Sequence, residues 1–402
     1  MYEEAFDLAK ARAETPGAGH VVHLNNAGAG LAPQPVIDAM SDYLRLEYLM
    51  GAYEAAESSQ DAFQRTHQAI AELINCGSGE IAILDSATRA WSTALSSIPL
   101  RAGDRVLISP MEYGSNYISL LHVAERLGAS LEVVPVDVHG VVDVAQLEAM
   151  VDERVKLIAV VHVPMHDGLV NPVAAIGAVA RRHGIPYLVD ACQSVGQMPV
   201  DVHAIGCDLL VGSGRKFLRG PRGTGFLYVR AELADQLSPP FPGLDGAEWL
   251  DGTYRLAAGA RRFESWETNC ASRIGLGVAV DYALGWGVET TWRRVRALAE
   301  QLRQDISSIA GVRLEDRGVE RGANVAVSFE GRDAHEVRRT LLRAGINTWV
   351  CLENAACVDM RRRRLSSLLR ISPHYYNSAA DLDRLCSALE SLTAAEPARV
   401  FA

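Results

Sequence analysis

Two side chains of complementary chemistry lie at the ends of two apolar runs of this sequence. Asp190 ends the run 185–189, and Lys216 follows the run 208–211 through the small residues 212–214. An acid and a lysine at the ends of two buried strands are what a pyridoxal phosphate (PLP) enzyme needs. The lysine forms a Schiff base with the aldehyde, and the carboxylate keeps the pyridine nitrogen protonated so that the ring withdraws electrons. The pair therefore predicts a PLP site.

Lysine is rare in this chain, which sets Lys216 apart. The other lysines are Lys10 and Lys156, and we expect both to be solvated surface residues. Lys216 stands instead among glycines, a serine and two arginines. That setting is unlike the surroundings of a lysine that serves solubility, so we expect Lys216 to have a chemical role.

The elements that must position this pair are short apolar runs that alternate with amphipathic stretches. The alternation predicts an α/β fold with a mostly parallel sheet covered by helices on both faces. Ligands of such sheets bind at the carboxyl ends of the strands, where Asp190 and Lys216 both fall. The predicted strands are Glu80–Leu84, Arg105–Ser109, Leu131–Val136, Leu157–Val163, Pro186–Asp190, Asp208–Gly212 and Gly225–Val229, and predicted helices between them include Ser115–Leu127, Val144–Val151 and Pro172–His183.

A change of pattern predicts a second, smaller domain. The Pro- and Gly-rich stretch Ser238–Gly246 leaves the sheet pattern, and an α+β unit begins at about residue 286. We expect residues 24–285 to form the large PLP-binding domain. Residues 1–23 and 286–402 form the predicted small domain, with the N-terminal segment packed on the C-terminal unit. Its predicted helices are Glu289–Ala310, Ala334–Ala344 and Ala380–Leu392, and its predicted strands are Asn324–Phe329 and Leu369–Ser372.

Composition excludes several classes of function. The formal net charge of −10 argues against non-specific binding to nucleic acid. No run of about 18 apolar residues predicts a membrane span, and the acidic N-terminus does not resemble a signal peptide, so a cytoplasmic location is expected. The seven cysteines are scattered without CxxC spacing, so neither a disulfide framework nor a metal site is predicted.

Together these segments resemble the class V aminotransferase family, fold-type I PLP enzymes that include cysteine desulfurases and cysteine C–S lyases. The match runs from His23–Gly28 to His374–Asn377, and its most specific parts are Val189–Ser194 (VDACQS) and Gly214–Pro221 (GRKFLRGP). The resemblance implies the fold-type I architecture, with a seven-stranded, mostly parallel sheet in the large domain and a smaller α+β C-terminal domain. It also implies PLP as the cofactor, an amino-acid substrate and a homodimer whose subunits share their active sites.

The resemblance assigns contacts at both ends of the cofactor. Ala87 and Thr88 would hold the phosphate through backbone N–H groups and the threonine hydroxyl at a helix start, although Thr88 could instead be an ordinary N-cap. Tyr113 would stack on the ring, with a core tyrosine as the alternative. Ser213 and Arg215 flank Lys216 and would add phosphate contacts, with a structural salt bridge as the alternative for Arg215.

Two further cofactor contacts follow from the same resemblance. Gln193 would hydrogen-bond the phenolic oxygen of the cofactor. Met165 falls near the same oxygen, at a position where relatives often carry asparagine or a small polar residue. A thioether cannot make that hydrogen bond well, so the loop around Met165 departs from the family pattern.

The resemblance also assigns the substrate contacts. Arg370, among apolar neighbours, would hold the α-carboxylate with its planar guanidinium, and Asn26 and Ala27 would lie nearby. His166 could act as a local acid, base or substrate contact, or could be structural. The segment around Trp266 lacks the Gly-Thr of the desulfurase pattern, and Trp266 would line the active site of the neighbouring subunit.

Several reactions remain open. Each candidate reaction starts when an amino acid displaces Lys216, and the fold does not determine which bond of that amino acid breaks. We expect a C–S lyase that converts an S-substituted cysteine into thiol, pyruvate and ammonia, in thiol or natural-product metabolism such as antibiotic biosynthesis. A relative in that setting could instead decarboxylate the conjugate and release an aldehyde by oxidative deamination. A cysteine desulfurase would need Cys357 or Cys351 as a low-pKa thiolate, which competes with a buried or idle cysteine. Racemase or transaminase activity and a cofactor-free scaffold rank below these.

Overall fold

The computed structural model describes residues 6–394, so the two outer ends of the predicted small domain, 1–5 and 395–402, lie outside it. The strands are β1 (Val22–His23), β2 (Ile81–Leu84), β3 (Arg105–Ile108), β4 (Ser130–Val133), β5 (Val155–Val161), β6 (Tyr187–Asp190), β7 (Leu209–Ser213), β8 (Gly225–Val229), β9 (Ala247–Leu250), β10 (Thr253–Leu256), β11 (Val312–Leu314), β12 (Val325–Phe329), β13 (Ile346–Asn347), β14 (Trp349–Leu352) and β15 (Ser367–Ile371).

The helices alternate with these strands through the first two thirds of the chain. They are α1 (Leu8–Ala13), α2 (Gln34–Met50), α3 (Ala52–Ser58), α4 (Gln60–Ile74), α5 (Ala87–Ser97), α6 (Gly114–Leu127), α7 (Val144–Ala149), α8 (Val173–His183), α9 (Val202–Ile205), α10 (Ala231–Ala234), α11 (Cys270–Trp286), α12 (Val288–Ser307), α13 (Ala334–Arg343), α14 (Cys357–Arg362) and α15 (Ala379–Ala394).

The large sheet contains all seven strands that the sequence predicted, in the order β2-β8-β7-β6-β5-β3-β4. Strand β8 runs antiparallel to both neighbours, and the other four pairings are parallel. Both faces are covered: one apolar core joins the sheet to α4, α8 and α11, and another joins it to α5 and α6. Strand β6 is buried along its whole length, as expected for a parallel strand between two helical layers. The α/β, fold-type I prediction is confirmed.

A smaller antiparallel sheet with the order β11-β12-β15-β14 follows in the C-terminal third. Its core packs against α12, α13 and α15. Strand β1 pairs in parallel with β13, and Asn25 bridges Ser372, so the N-terminal segment joins this part of the molecule. The predicted boundary near residue 286 coincides with the end of α11, but the division into domains stays a prediction.

The stretch after Ser238–Gly246 forms an antiparallel hairpin of β9 and β10 that was not predicted from the sequence. Most of its residues are exposed, including Trp249 and Tyr254. An exposed hairpin has no buried face to impose an alternating pattern, so its sequence carries no strand signal. Within residues 6–394, no helix combines the length and apolar character needed to cross a bilayer.

Candidate active site

One cavity of about 370 Å³ opens at the carboxyl edge of the large sheet. Strands β6 and β7 are adjacent and parallel, so Asp190 at the end of β6 and Lys216 just beyond β7 reach the same side of the sheet. The lining also includes most of the residues predicted from the sequence: Ala27, Ala87, Thr88, Tyr113, Met165, Gln193, Ser213, Arg215 and Arg370.

Neutral hydrogen-bond donors hold the Asp190 carboxylate. Its Oδ1 accepts from the backbone N–H of Cys192 at 2.9 Å, and its Oδ2 accepts from the Asn116 side chain at 2.7 Å. Asn116 lies on α6 and also lines the cavity. Because neither donor carries a charge, the Asp190 charge stays available to a positively charged ring nitrogen.

The turn that carries Lys216 is fixed by a buried arginine. The Arg219 N–H donates to the Lys216 carbonyl at 2.9 Å, and Arg219 takes a left-handed backbone conformation with φ 62°. Its guanidinium donates to the Leu31 carbonyl at 2.8 Å, the Tyr375 hydroxyl at 2.6 Å and the Thr15 hydroxyl at 2.5 Å. A left-handed non-glycine residue persists where such contacts hold it, so the position of Lys216 is set from three parts of the chain.

The amine of Lys216 is tuned by its surroundings. Burial lowers its pKa below the usual lysine value. Cys192 and Asp190 oppose this shift, while the charges of Arg215 and Arg370 add to it. The other two lysines are exposed, as predicted. A larger fraction of Lys216 is therefore a neutral amine near pH 7.

The N-terminus of α5 faces one end of the cavity. Ser86 caps the helix by accepting from the Arg89 N–H at 3.2 Å, and Ser86, Ala87 and Thr88 all line the cavity. Thr88 is therefore not the N-cap residue. Gly225 on β8 allows this close approach, because a Cβ there would lie 2.4 Å from the Ala87 nitrogen. Free N–H groups at a helix start are a natural site for a phosphate.

Two side chains lie where the cofactor ring was predicted. Tyr113 is 37% exposed and lines the cavity, so it is not a core tyrosine. Gln193 donates through Nε2 to the Ala27 carbonyl at 3.1 Å, and its buried Oε1 has no hydrogen-bond partner among the described residues.

Arg215 donates to the Gly28 carbonyl at 2.5 Å and forms no ion pair with a described residue, so the salt-bridge alternative is not realised.

Arg370, at the end of β15, is buried and lines the same cavity. Its Nη1 donates to the Met165 carbonyl at 2.9 Å, and its Nη2 donates to Asn25 Oδ1 at 3.0 Å. Its Nε is buried and has no hydrogen-bond partner among the described residues. Met165 thus contributes its backbone carbonyl to the position of Arg370, while its thioether lies beside a small apolar cluster.

Three predicted contacts are not brought into the cavity. Asn26 is fully buried behind it, where it donates to the Ser372 carbonyl at 2.8 Å and accepts from the Tyr376 hydroxyl at 2.5 Å. His166 is also fully buried, and its Nε2 lies 2.8 Å from Asp359 in an ion-pair cluster, which corrects the prediction of a substrate contact. Trp266 is 57% exposed and does not line this cavity, so its role toward a neighbouring subunit stays a prediction.

Several lining residues were not predicted from the sequence. Asn25 holds Arg370 and Asn116 holds Asp190 through their side-chain amides. The lining also contains the Thr224 hydroxyl, the Arg222 guanidinium and the Trp349 indole. Asn25 precedes the predicted Asn26 by one residue, so the resemblance identified the segment but not the side chain that faces the cavity.

The two cysteines considered for sulfur transfer lie outside the lining. Cys351 on β14 is buried, its Sγ lies 3.8 Å from the Met165 carbonyl, and burial raises the pKa of its thiol. Cys357 begins α14, just after the turn Glu353–Ala355. That turn packs on Gly114, next to Tyr113, since a Cβ on Gly114 would lie 2.5 Å from the Asn354 carbonyl oxygen. Cys357 is therefore near the cavity mouth without lining it.

The donors in this cavity fit PLP. A carboxylate without an ionic partner, an amine with a lowered pKa and a helix N-terminus lie around one space. The buried, unpartnered Gln193 Oε1 also faces this region, and buried polar atoms normally have a partner. Asp190 is placed to face the ring nitrogen of bound PLP, Lys216 the aldehyde and the start of α5 the phosphate, and these individual contacts stay predictions.

Comparison with known proteins agrees with this assignment. The family model Aminotransferase class-V matches residues 22–385. A protein named probable cysteine desulfurase from Methanothermobacter thermautotrophicus is 32% identical over 386 residues, which cover 92% of this chain and 94% of that protein. The apo structure of a cysteine desulfurase from Thermococcus onnurineus matches with a TM-score of 0.90 and 25% identity over 98% of this chain and 100% of that one.

A structure of a cystine C–S lyase, C-DES, in complex with cysteine persulfide matches with a TM-score of 0.85 over 94% of this chain and 99% of that chain. Its sequence identity is 22%, so this likeness concerns the fold alone.

Proposed function

Because this chain belongs to the Aminotransferase class-V family and is a PLP-dependent enzyme, we propose that it cleaves the C–S bond of an S-substituted cysteine. The products would be a thiol, pyruvate and ammonia. The main support for the proposal is the position of the cysteine thiols relative to the cavity. Among residues 6–394, Cys192 is the one cysteine that lines the cavity, and burial raises its pKa well above the usual value. The other described cysteines lie outside the lining, so none of them is placed to accept sulfur from a substrate bound there.

Asp190 and the start of α5 would hold the cofactor at its two ends. PLP, when bound, withdraws electrons from the bonds at the α-carbon of an amino acid attached to it. The Asp190 carboxylate would favour a proton on the ring nitrogen, which strengthens that withdrawal. The backbone N–H groups of residues 86–88 and the hydroxyls of Ser86 and Thr88 would hydrogen-bond the phosphate.

Lys216 is the residue that moves the proton. As a neutral amine, its Nζ accepts the proton from the α-carbon of the substrate. Burial lowers its pKa and so favours the neutral form that a general base needs. The sulfur substituent then leaves as a thiolate, and the remaining three-carbon fragment hydrolyses to pyruvate and ammonia.

Arg370 sets the orientation of the substrate. Met165 and Asn25 hold its two terminal nitrogens, and Nε remains without a partner in a buried position. A guanidinium held in this way binds a carboxylate in one orientation. Orientation decides which bond at the α-carbon is aligned for cleavage, so Arg370 selects the reaction as well as the substrate.

Cysteine desulfuration is the second candidate, and two observations favour it. The relative from Methanothermobacter thermautotrophicus and the Thermococcus onnurineus structure both carry that name. Cys357 also follows a turn that packs on Gly114 at the cavity mouth. A movement of that turn would be needed to bring the thiol to the substrate. Decarboxylation with release of an aldehyde is a further outcome that product analysis separates from both.

Product analysis tests these alternatives. The PLP-loaded protein is incubated with S-methyl-L-cysteine and with L-cysteine, and the products are identified by mass spectrometry. Pyruvate with a free thiol supports the lyase, alanine with a persulfide supports the desulfurase, and carbon dioxide with an aldehyde supports decarboxylation. Alanine as the sole product would exclude the lyase.

Cysteine variants sharpen the same test. We expect Cys351→Ser and Cys357→Ser to release pyruvate at the rate of the parent protein, because neither thiol lines the cavity. Cys386→Ser, in α15, is the matched control. Loss of activity in Cys357→Ser alone would favour the desulfurase.

The assembly and the location are proposals of the same kind. We expect a homodimer in the cytoplasm, with Trp266 contributing to the neighbouring active site and with no nucleic-acid or membrane partner. Light scattering of the purified protein measures the assembly, and a monomer that turns over substrate would exclude shared active sites.

A further inference from the structure

Trp349 is a large apolar side chain on the wall of the active-site cavity. It begins β14, an edge strand of the small sheet, and it remains 46% exposed while lining the cavity. Ligand cavities are commonly lined by aromatic side chains, and an exposed indole inside such a cavity marks a surface available for contact with a ligand.

The register of the small sheet places Trp349 beside Arg370. The two residues are direct cross-strand partners in the antiparallel pair of β14 and β15. Side chains of such partners project from the same face of the sheet with their Cβ atoms about 5 Å apart. A substituent on a substrate whose carboxylate is bound by Arg370 would therefore pass close to the indole.

A neighbouring arginine stacks on the indole. The Arg338 guanidinium carbon lies 4.9 Å from the centre of the Trp349 ring, and Arg338 Nε donates to the Thr348 carbonyl at 3.1 Å. A cation–π contact of this kind favours one position of the ring before any ligand arrives. Trp349 is thus a preorganised surface, and preorganisation lowers the entropic cost of binding.

The charge of the lining limits what can bind there. Three arginines, Arg215, Arg222 and Arg370, line the cavity with one carboxylate, Asp190. Arg338 adds a further positive charge behind the indole. Such a potential opposes a cationic substituent and favours a neutral or anionic one.

We propose that Trp349 determines substrate specificity by binding a flat aromatic group, neutral or anionic, carried on the substrate sulfur. The inference rests on the proposed cleavage of S-substituted cysteines and names the class of substituent. Cofactor and amino acid share a cavity near the small end of the usual range for ligand pockets, so a large substituent has to extend toward the opening. Trp349, half exposed, lines that route.

Selectivity between two substrates tests the inference. We measure the ratio of kcat/KM for S-benzyl-L-cysteine to that for S-methyl-L-cysteine. The ratio should fall about tenfold in Trp349→Ala. This corresponds to about 1.4 kcal/mol, an energy within the range of contacts between aromatic rings. Trp349→Phe, which keeps a ring, should lie within threefold of the parent. Leu352→Ala, on the same strand but outside the cavity, is the matched control. An unchanged ratio in Trp349→Ala overturns the inference.

A binding measurement separates this inference from the proposed reaction. S-benzyl-α-methylcysteine has no α-proton, so the general base cannot act on it. Its Kd, from calorimetry, should rise about tenfold in Trp349→Ala and remain near the parent value in Trp349→Phe and Leu352→Ala. If the parent protein cleaves neither conjugate but shows this pattern of Kd values, the proposed reaction fails and the inference stands. Equal Kd values in parent and Trp349→Ala overturn the inference whichever reaction is catalysed.

A charged analogue tests the sign of the potential. We expect an S-(4-carboxybenzyl) analogue to bind at least as tightly as the benzyl compound and a 4-trimethylammonio analogue to bind more weakly. The reverse order would overturn the assignment of a neutral or anionic ring.

Discussion

Two regions of this molecule collect charged side chains, and they use them in opposite ways. In the cavity at the edge of the large sheet, none of the charged side chains forms an ion pair with a described residue. In a second region, assembled from distant parts of the chain, acids and bases pair with one another. The members of this ion-pair cluster are His166, Asp167, Arg317, Asp359 and Arg363.

The geometry of the ion-pair cluster is that of a structural junction. Asp359 lies 2.8 Å from His166 and 2.8 Å from Arg317, and Asp167 lies 2.9 Å from Arg317. Both carboxylates are buried, and they join the loop after β5 to α14 and to the segment after β11. Charges that neutralise one another hold elements together, whereas charges without an ionic partner are free to bind a ligand. The comparison explains why Lys216 and Arg370 are functional candidates and His166 is not.

Removing the amine of the cavity gives the largest expected effect. Lys216→Ala should lower kcat by at least about 10³-fold, because the general base is lost. Its free energy of unfolding should not fall, since burial lowers the Lys216 pKa and so already disfavours the ammonium form in the fold. Steady-state kinetics and urea denaturation measure the two quantities. Lys156→Ala removes an exposed lysine and should change neither. A stable, active Lys216→Ala protein would contradict the assignment.

Breaking the ion-pair cluster should affect stability. Asp359→Ala removes the carboxylate that buried His166 and partly buried Arg317 share. Because Arg317 keeps Asp167, we expect the free energy of unfolding to fall by about 3 kcal/mol, the low end of the range for a broken buried pair. Urea denaturation measures the change, and Asp383→Ala, on the exposed side of α15, is the control. A loss below about 1 kcal/mol would show that the cluster behaves like a solvated surface network.

Replacing the carboxylate-binding arginine should affect binding more than folding. Arg370→Lys keeps the charge but loses the planar fork, so KM should rise roughly 10- to 100-fold, the range of one charge-assisted hydrogen bond. Arg362→Lys, at an exposed position of α14, should leave KM unchanged. If KM is unchanged in Arg370→Lys while kcat falls, then Arg370 acts on the chemical step and not on carboxylate binding.

The smallest expected effect is on the pH dependence of stability. Burial lowers the pKa of His162 to about 4 and that of His374 to about 3. Below pH 6.5 the unfolded chain protonates both rings while the folded protein does not. Stability is therefore present above pH 6.5 and lost as pH falls, by roughly 1 kcal/mol per histidine over the first pH unit.

The ion-pair cluster should resist acid longer than these two histidines. Burial would raise the pKa of Asp359, but the hydrogen bond from His166 and the charges of Arg317 and Arg363 outweigh it and lower the pKa to about 2. Its contribution to stability is lost only as pH falls below 3.8. Melting temperatures between pH 7.5 and 5.0 should fall in the parent protein and fall less in His162→Gln. An equal fall in both would exclude His162 as a source of the acid sensitivity.

Sequence patterns predicted the large sheet well, because its strands other than the edge strand β4 are largely buried and appear as short apolar runs. They did not predict the β9–β10 hairpin, whose residues are mostly exposed. Motif resemblance identified the segments that line the cavity but misassigned individual side chains. Asn25 rather than Asn26 holds Arg370. Trp349 lines the cavity although the sequence around it matches no motif.

The sequence by itself determined the cofactor chemistry. Asp190 and Lys216 stand at the ends of two apolar runs, and the packing rules of parallel sheets bring such ends to one edge. Tertiary structure alone decided which charges remain available to a ligand. His166 and Asp359 are separated by 193 residues, and Trp349 meets Arg370 only through strand pairing, so local sequence patterns do not reveal either contact.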